Sequence, residues 1–497
     1  MTKTQALGIL FEKNESLRAL GMAQALMYWD ALTTGVPEKS LPARGAAMGW
    51  LSRESFRHFI APDTLEAVET LESEGKSLSV NERAMAREMG RQYRKLKAVP
   101  PDEYKAFNEL AAQAEQVWEA ARAKRDFAMM LPYYEKIFDY KRRLCDWYGY
   151  EKHPYDALLD DYEQGATVEM LDGFFDALRQ KIVPLIKDIA RSDAHPREIT
   201  GLFDVVRQKS LEPWLTAFIG YDRTRGKIGA VEHPFCTTIS RNDVRITTKY
   251  HEDNLLSALY STLHESGHAL YEQNMDEELE RYGLADGASM GMHESQSRLF
   301  ENIICRSRAF AGLLLPQLRG VFDYFAHWDE EELYRAVNIA RPSLIRIEAD
   351  ELTYSLHIMV RYELEKGLMK GEIKASELPE LWDNKYEEFL GIRPGDAAEG
   401  VLQDVHWSDG SVGYFPAYAI GTAYGAQMTH AMKKSVDIDA AIKNGDLSPV
   451  AGWLKERVHR HGMALTPAEL LIQATGEPFN PEYYADYLRE KFTGLYL

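Results

Sequence analysis

Residues 263–270 read Leu263-His264-Glu265-Ser266-Gly267-His268-Ala269-Leu270, and the run leading into them, Asn254 to Leu263, has apolar residues at helical spacing and no proline. Together they predict one helix passing through both histidines. At 3.6 residues per turn, positions i and i+4 project from the same face, so His264 and His268 can grip one cation while Glu265 points toward a water beside it. Neutral imidazole suits Zn²⁺, which draws the pKa of a bound water toward about 7, and Glu265 is placed to take the proton released.

A catalytic zinc takes three protein groups and leaves one position to water, so a third ligand is required. Glu272, Asn274, His293, Glu294 and Glu301 are the residues to weigh. The extended pattern with a third histidine six residues after the second is absent, because position 274 is Asn. Glu272 lies a turn beyond His268, too far along a straight helix to close a tetrahedron. A second helix is predicted over Met292-His293-Glu294-Ser295-Gln296-Ser297-Arg298-Leu299-Phe300-Glu301-Asn302-Ile303-Ile304, approached through the small-residue stretch Asp286 to Gly291. Glu294 is the preferred third ligand. Glu301, two turns on, is then placed to accept the second N–H of a ligating histidine.

These residues resemble the signatures of the M32 metallocarboxypeptidases. Besides His264-Glu265-Ser266-Gly267-His268 and His293-Glu294-Ser295-Gln296, the chain carries His233-Pro234-Phe235, Asp243-Val244-Arg245-Ile246-Thr247, Ile345-Arg346-Ile347-Glu348-Ala349-Asp350 and Gly400-Val401-Leu402-Gln403-Asp404-Val405-His406-Trp407. All six lie in the family's order between residues 233 and 407. The resemblance implies an all-α, mainly helical fold with a small β-sheet near the active site, built around a deep groove. It also implies release of single residues from peptide C-termini, a Zn²⁺ or Co²⁺ site of His264, His268 and Glu294 with Glu265 as general base and acid, and a homodimer.

A C-terminal exopeptidase must recognise a free carboxylate, for which an arginine fork making two charge-assisted hydrogen bonds is the strongest device. Arg346 is expected in the first turns of a helix running from Ser343 to Glu365, oriented by Glu348 and Asp350; Arg245 is expected on an edge strand beside the metal, within Asn242 to Tyr250. An exposed strand edge can hold an extended peptide by main-chain hydrogen bonds. His233 precedes that strand, and in the family its segment shapes the closed end of the groove. Donors for a developing oxyanion are expected from the Gly-rich region after residue 403, with His406 and Tyr418 preferred and Tyr414 in reserve.

With 497 residues and 45% apolar content the chain can bury a large core, and it has no low-complexity linker or 20-to-50-residue repeat, so one helical body over 1–497 is expected. Helices are predicted over Thr4–Ala23, Val80–Leu96, Asp102–Ala123, Leu131–Trp147, Val168–Ile189 and Asn254–Gln273, besides the one after Ser343. Net charge of −19 argues against nucleic acid and against anionic membrane surfaces as partners. The first fifteen residues are charged where a signal peptide needs an apolar core, and Cys145, Cys236 and Cys305 are too scattered for a disulfide framework, which points to the cytoplasm. Peptides with free C-termini are the expected partners.

Three other readings are weaker. A di-metal carboxylate oxidoreductase needs two Glu-x-x-His pairs; Glu265/His268 and Glu456/His459 qualify, but Lys455, Arg457 and Arg460 crowd the second with positive charge and His264 goes unexplained. A non-catalytic scaffold with a structural metal has no need of Glu265 beside an open coordination position. An endo-acting oligopeptidase would use the same metal groups without an arginine clamp.

Overall fold

Asn254 caps the motif helix by accepting the backbone N–H of Ser257, and the helix runs Leu255–Asn274, one residue beyond its predicted end. In the computed structural model, which describes residues 1–497, this helix lies between two different partners. On one side is a three-stranded sheet ordered β1-β3-β2, with β1 (Ile228–Ala230) parallel and β2 (Cys236–Ser240) antiparallel to β3 (Asp243–Thr248). Val244 and Ile246 point from β3 into a small apolar cluster with Ala269 and Tyr221, which fixes the sheet on the helix.

On the other side lies the helix Met290–Arg298, itself backed by Phe415–Met432. Glycine makes both contacts flush. A Cβ at Gly267 would come 2.8 Å from the carbonyl oxygen of Gln296, and one at Gly421 would come 2.7 Å from Glu294 Cβ. Both distances are well inside van der Waals contact, so neither helix pair could sit as closely with alanine there. At Leu299–Ile304 the second helix widens into a π-helical turn, closed by the Cys305 N–H donating to Phe300 O. Such turns rotate the following side chains relative to an α-helix, and Glu301 sits in this one.

The main core gathers 103 buried residues from Ala84 to Tyr496, so the motif helix is embedded in the principal body of the chain. Four N-terminal helices, α1 (Lys3–Asp30), α2 (Leu41–Phe59), α3 (Pro62–Glu74) and α4 (Val80–Ala98), have a small core of their own from residues such as Leu10, Val68, Leu71 and Met85. Of these α2 buries no residue at all. No helix is long and apolar enough to cross a membrane.

The predicted helices at 4–23, 80–96, 102–123, 131–147 and 168–189 are found at Lys3–Asp30, Val80–Ala98, Pro101–Lys124, Leu131–Tyr148 and Val168–Ile189. Two expectations are corrected. Residues 343–353 are not helical apart from a 3₁₀ turn at Arg346–Glu348, and the helix occupies Tyr354–Lys370. The carboxylate of Asp350 accepts the backbone N–H groups of Arg341, Leu352 and Thr353, a local competition that favours a loop over a helix start further upstream. Second, β3, which carries Arg245, is the central strand, and β2 is the outer one facing the groove.

Candidate metal site

The motif helix and the Met290–Arg298 helix bring His264, His268 and Glu294 together, with one ligand atom of each lying within 4.8 Å of the others. Glu294 Oε2 stands 3.6 Å from Nε2 of His264 and 3.4 Å from Nε2 of His268, so all three groups present their donors to one point. Two nitrogens and a carboxylate oxygen converging with a side left open is a donor set that fits Zn²⁺ or Co²⁺.

Each of these groups is held from behind. Nδ1 of His264 is 2.8 Å from Glu301 Oε2, which also accepts from Arg298 Nη1 at 3.2 Å. Nδ1 of His268 is 2.5 Å from Nδ1 of His293, whose Nε2 is 2.8 Å from Glu272 Oε1. Glu294 accepts from Arg298 Nε at 2.7 Å on Oε1 and from the Ser297 hydroxyl at 3.1 Å on Oε2. Partners of this kind fix ring orientation and ligand basicity.

The charges are set accordingly. Burial works to raise the Glu294 pKa, but Arg298 and the two histidines hold the carboxyl far below the usual range. For His264, burial works to lower it, yet Glu294 and Glu301 outweigh that and lift it to about 9, whereas burial drives His268 down to about 3. Glu265 is buried, and burial pushes its carboxyl up to about 7, close to the range in which a group both takes and returns protons near neutral pH.

These residues open onto a cavity of about 580 Å³ whose walls include Pro234, Phe235, Cys236, Tyr414 and Tyr418. Tyr414 and Tyr418 stand edge to face, 5.1 Å between ring centres, and burial raises both phenols above their ordinary range. His406 packs against Tyr414 and Phe415, is driven down to about 4 by burial, and its Nδ1 has no hydrogen-bond partner.

Arg346 lies behind Tyr418, with its guanidinium carbon 5.3 Å from that ring. Contrary to the expected pairing with Glu348 and Asp350, it donates through Nε and Nη2 to Asp404 at 3.0 and 2.8 Å and through Nη1 to the Tyr354 hydroxyl at 3.2 Å. Asp404 is shared with Arg361, which donates to its other oxygen. Arg245 does not reach the cavity: its fork is closed by Asp243 at 2.8 and 2.6 Å, and it stacks over Trp29, which packs on Phe235. His233 is exposed, outside the cavity, while Pro234 and Phe235 line it.

Several groups escaped sequence reasoning. Arg298 was readable, because it follows Glu294 by four positions on a helix. Arg91, the only arginine lining the cavity, is brought from α4 by tertiary packing and pairs with Glu88 and Asp160. No local pattern signals it.

Comparison with known proteins places the chain in context. The family model described as Carboxypeptidase Taq (M32) metallopeptidase matches residues 10–492. Carboxypeptidase 1 of Bacillus subtilis is 41% identical over 479 residues, 96% of this chain and 95% of that protein. Thermostable carboxypeptidase 1 of Pyrococcus furiosus is 37% identical over 488 residues, 97% of each. Among solved structures, the M32 carboxypeptidase of Deinococcus radiodurans superimposes with a TM-score of 0.94 at 35% identity, covering 99% of both chains.

Proposed function

Because this chain belongs to the M32 metallopeptidase family and is a carboxypeptidase, a hydrolase of peptide bonds, we propose that residues 1–497 form one unit releasing single amino acids from free peptide C-termini at the site of His264, His268 and Glu294. The observation that carries this reading is the convergence of those three ligand groups beside a buried Glu265. His264, His268 and Glu294 would hold a Zn²⁺ or Co²⁺ ion, which would supply a Lewis acid to polarise the scissile carbonyl and acidify a water.

The side chains do the rest. Glu265 accepts the proton of the attacking water and returns it to the departing amine. Arg298 keeps Glu294 ionised, and Glu301 and the His293–Glu272 pair hold the two ligand rings in the required tautomers. Tyr418, with Tyr414 in reserve, lines the cavity and donates to the oxygen that becomes negative in the tetrahedral intermediate, and His406, packed against Tyr414 outside the cavity wall, is the other proposed donor.

Arg346, which stands behind the Tyr418 ring and not in the cavity wall, is proposed to read the substrate carboxylate past that ring. A guanidinium has five N–H donors, and the three contacts to Asp404 and Tyr354 leave two for a substrate. His233 and Arg245 act indirectly, through the Pro234–Phe235 wall and the Arg245–Trp29–Phe235 stack. The family resemblance of the sequence implies a homodimer, and the chain is proposed to work as one.

Incubation of the protein with a mixed peptide library, with and without a chelator, tests the reading. Ladders of C-terminal loss that stop on chelation are expected in the mass spectra. Internal cuts would instead favour an endo-acting oligopeptidase.

A further inference from the structure

The metal-site cavity does not end at the metal. A second chamber of about 700 Å³ adjoins it, and Gln92, Asp286 and Met463 line both. The chamber lies between α1, α2 and α4 on one side and the body on the other. Strand β2 spans both spaces: Cys236 is in the metal-site wall, while Thr238, Ile239 and Ser240 are in the chamber wall. The second edge of β2 pairs with no strand, and its register shifts between Thr238 and Ser240, which turns the strand at the chamber mouth.

The chamber walls have a marked chemistry. Met22, Met85, Met89, Met275 and Met463 line them, with Phe56 among the aromatics. The charged groups on the rim are mostly occupied with one another: Arg18 with Glu280, Arg241 with Glu277, Glu88 with Arg91, and Glu272 with His293. That leaves a wall of mixed character whose exposed apolar part includes Met22 and Phe56. Methionine is unbranched and polarisable, and surfaces built from it accept varied apolar shapes.

We propose that this chamber is a binding subsite for substrate residues upstream of the cleaved bond, and that it selects peptides with a bulky apolar side chain there. The proposal rests on the carboxypeptidase reading of the metal site and adds to it a substrate class. A peptide paired along the outer edge of β2 runs from the metal into the chamber. At about 3.4 Å per residue, the four steps from Cys236 to Ser240 span about 14 Å. The chamber is therefore met by roughly the third to fifth residues before the cleaved bond. Leucine, phenylalanine or methionine fits there; glycine leaves the walls uncovered, and aspartate meets the carboxylates of Glu88, Glu272, Glu280 and Asp286 in the same wall.

The test uses the metal-loaded, full-length protein and two kinds of peptide. One is a short acyl-dipeptide that reaches only the metal site. The other is a set of heptapeptides with one fixed C-terminal half and Leu, Phe, Met, Gly or Asp at the fourth residue before the cleaved bond. For the wild-type protein, KM for the Leu, Phe and Met peptides should be about tenfold below that for Gly and Asp, with kcat little changed. Met22→Glu and Phe56→Glu, at half-exposed positions where the fold tolerates a charge, should shrink that preference to about twofold. Leu202→Glu, exposed and outside the groove, should leave it intact. Equal KM across the set, or a preference untouched by Met22→Glu and Phe56→Glu, would overturn the proposal. So would an unchanged preference accompanied by loss of self-association in Met22→Glu, which would assign the chamber to a second copy of the chain. Failure to cleave even the acyl-dipeptide would overturn the carboxypeptidase reading itself, and the subsite with it, a result distinct from all of these.

Discussion

Nδ1 of His268 lies 2.5 Å from Nδ1 of His293, so one histidine ring is oriented by another, and Glu272 in turn holds the second at 2.8 Å. When Nε2 of His268 faces a cation, its Nδ1 carries the proton and donates to His293, which must then be neutral and donate through Nε2 to Glu272. His293 thus sits next to Glu294 in sequence yet contacts a histidine of the other helix of the candidate site. His293→Ala is expected to weaken metal affinity about 10- to 100-fold, read by competition with a chromophoric chelator. Affinity equal to wild type would remove His293 from the metal's support.

Glycine at 421 lets the Phe415–Met432 helix press against the backbone and side chain of Glu294. Gly421→Ala places a methyl group 2.7 Å from Glu294 Cβ and 2.9 Å from the carbonyl oxygen of Gly291. A cost of about 1–3 kcal/mol is expected in denaturant titration, together with weaker metal binding as Glu294 is displaced. A neutral effect on both would mean that the helices can separate without disturbing the ligand.

Glu163 gives a pH signature remote from the ligand atoms. Its side chain is buried and accepts from the Tyr424 hydroxyl and the Gly291 N–H at 3.0 Å each; burial raises its pKa from an ordinary value of 4.5 to about 7. A carboxyl whose folded pKa is raised contributes stability that is present below 4.5 and is lost as pH rises through 7; the difference is worth about 3 kcal/mol. Glu163→Gln removes the ionisation and keeps hydrogen-bonding capacity. Its thermal midpoint should therefore fall less than that of the wild type between pH 5 and pH 8.5, as followed by scanning calorimetry. Parallel pH curves would contradict this.

Arg346 and Arg91 can be told apart by what they do to free acids and amides. Arg346→Ala leaves Asp404 paired with Arg361, so the fold should persist, while kcat/KM on free-acid peptides falls about 100-fold and C-terminal amides remain poor substrates. Arg91→Ala, whose side chain is spent on Glu88 and Asp160, should cost much less. The reverse ranking would move the carboxylate clamp to Arg91.

Much of the candidate site was readable in the sequence because its groups are local. His264, Glu265 and His268 need only one helix, and the helix around them was predicted to within a residue or so at each end. Glu294 required a second helix, and the small residues before Met290 marked where the chain turns to supply it. The misreadings have a common cause. At Arg346 the helical pattern of the sequence is overridden by Asp350, which binds backbone N–H groups, and by the buried pull of Asp404, 58 positions away. For Arg245, alternation identified the strand but could not say whether it lay at the centre or the edge, since sheet order is fixed by the packing of β1 and β2 on either side. The role of His293 was equally non-local: periodicity gives the face of a helix, and only the approach of the motif helix shows what that face meets.

Metal content measured alongside turnover in wild type and Glu265→Gln bears most directly on the site's chemistry. One Zn²⁺ or Co²⁺ per chain is expected in both proteins, with C-terminal release in the variant slowed about 10²- to 10⁴-fold at saturating metal. Active wild-type protein carrying no metal, or a Glu265→Gln variant that turns over at the wild-type rate, would contradict the assignment.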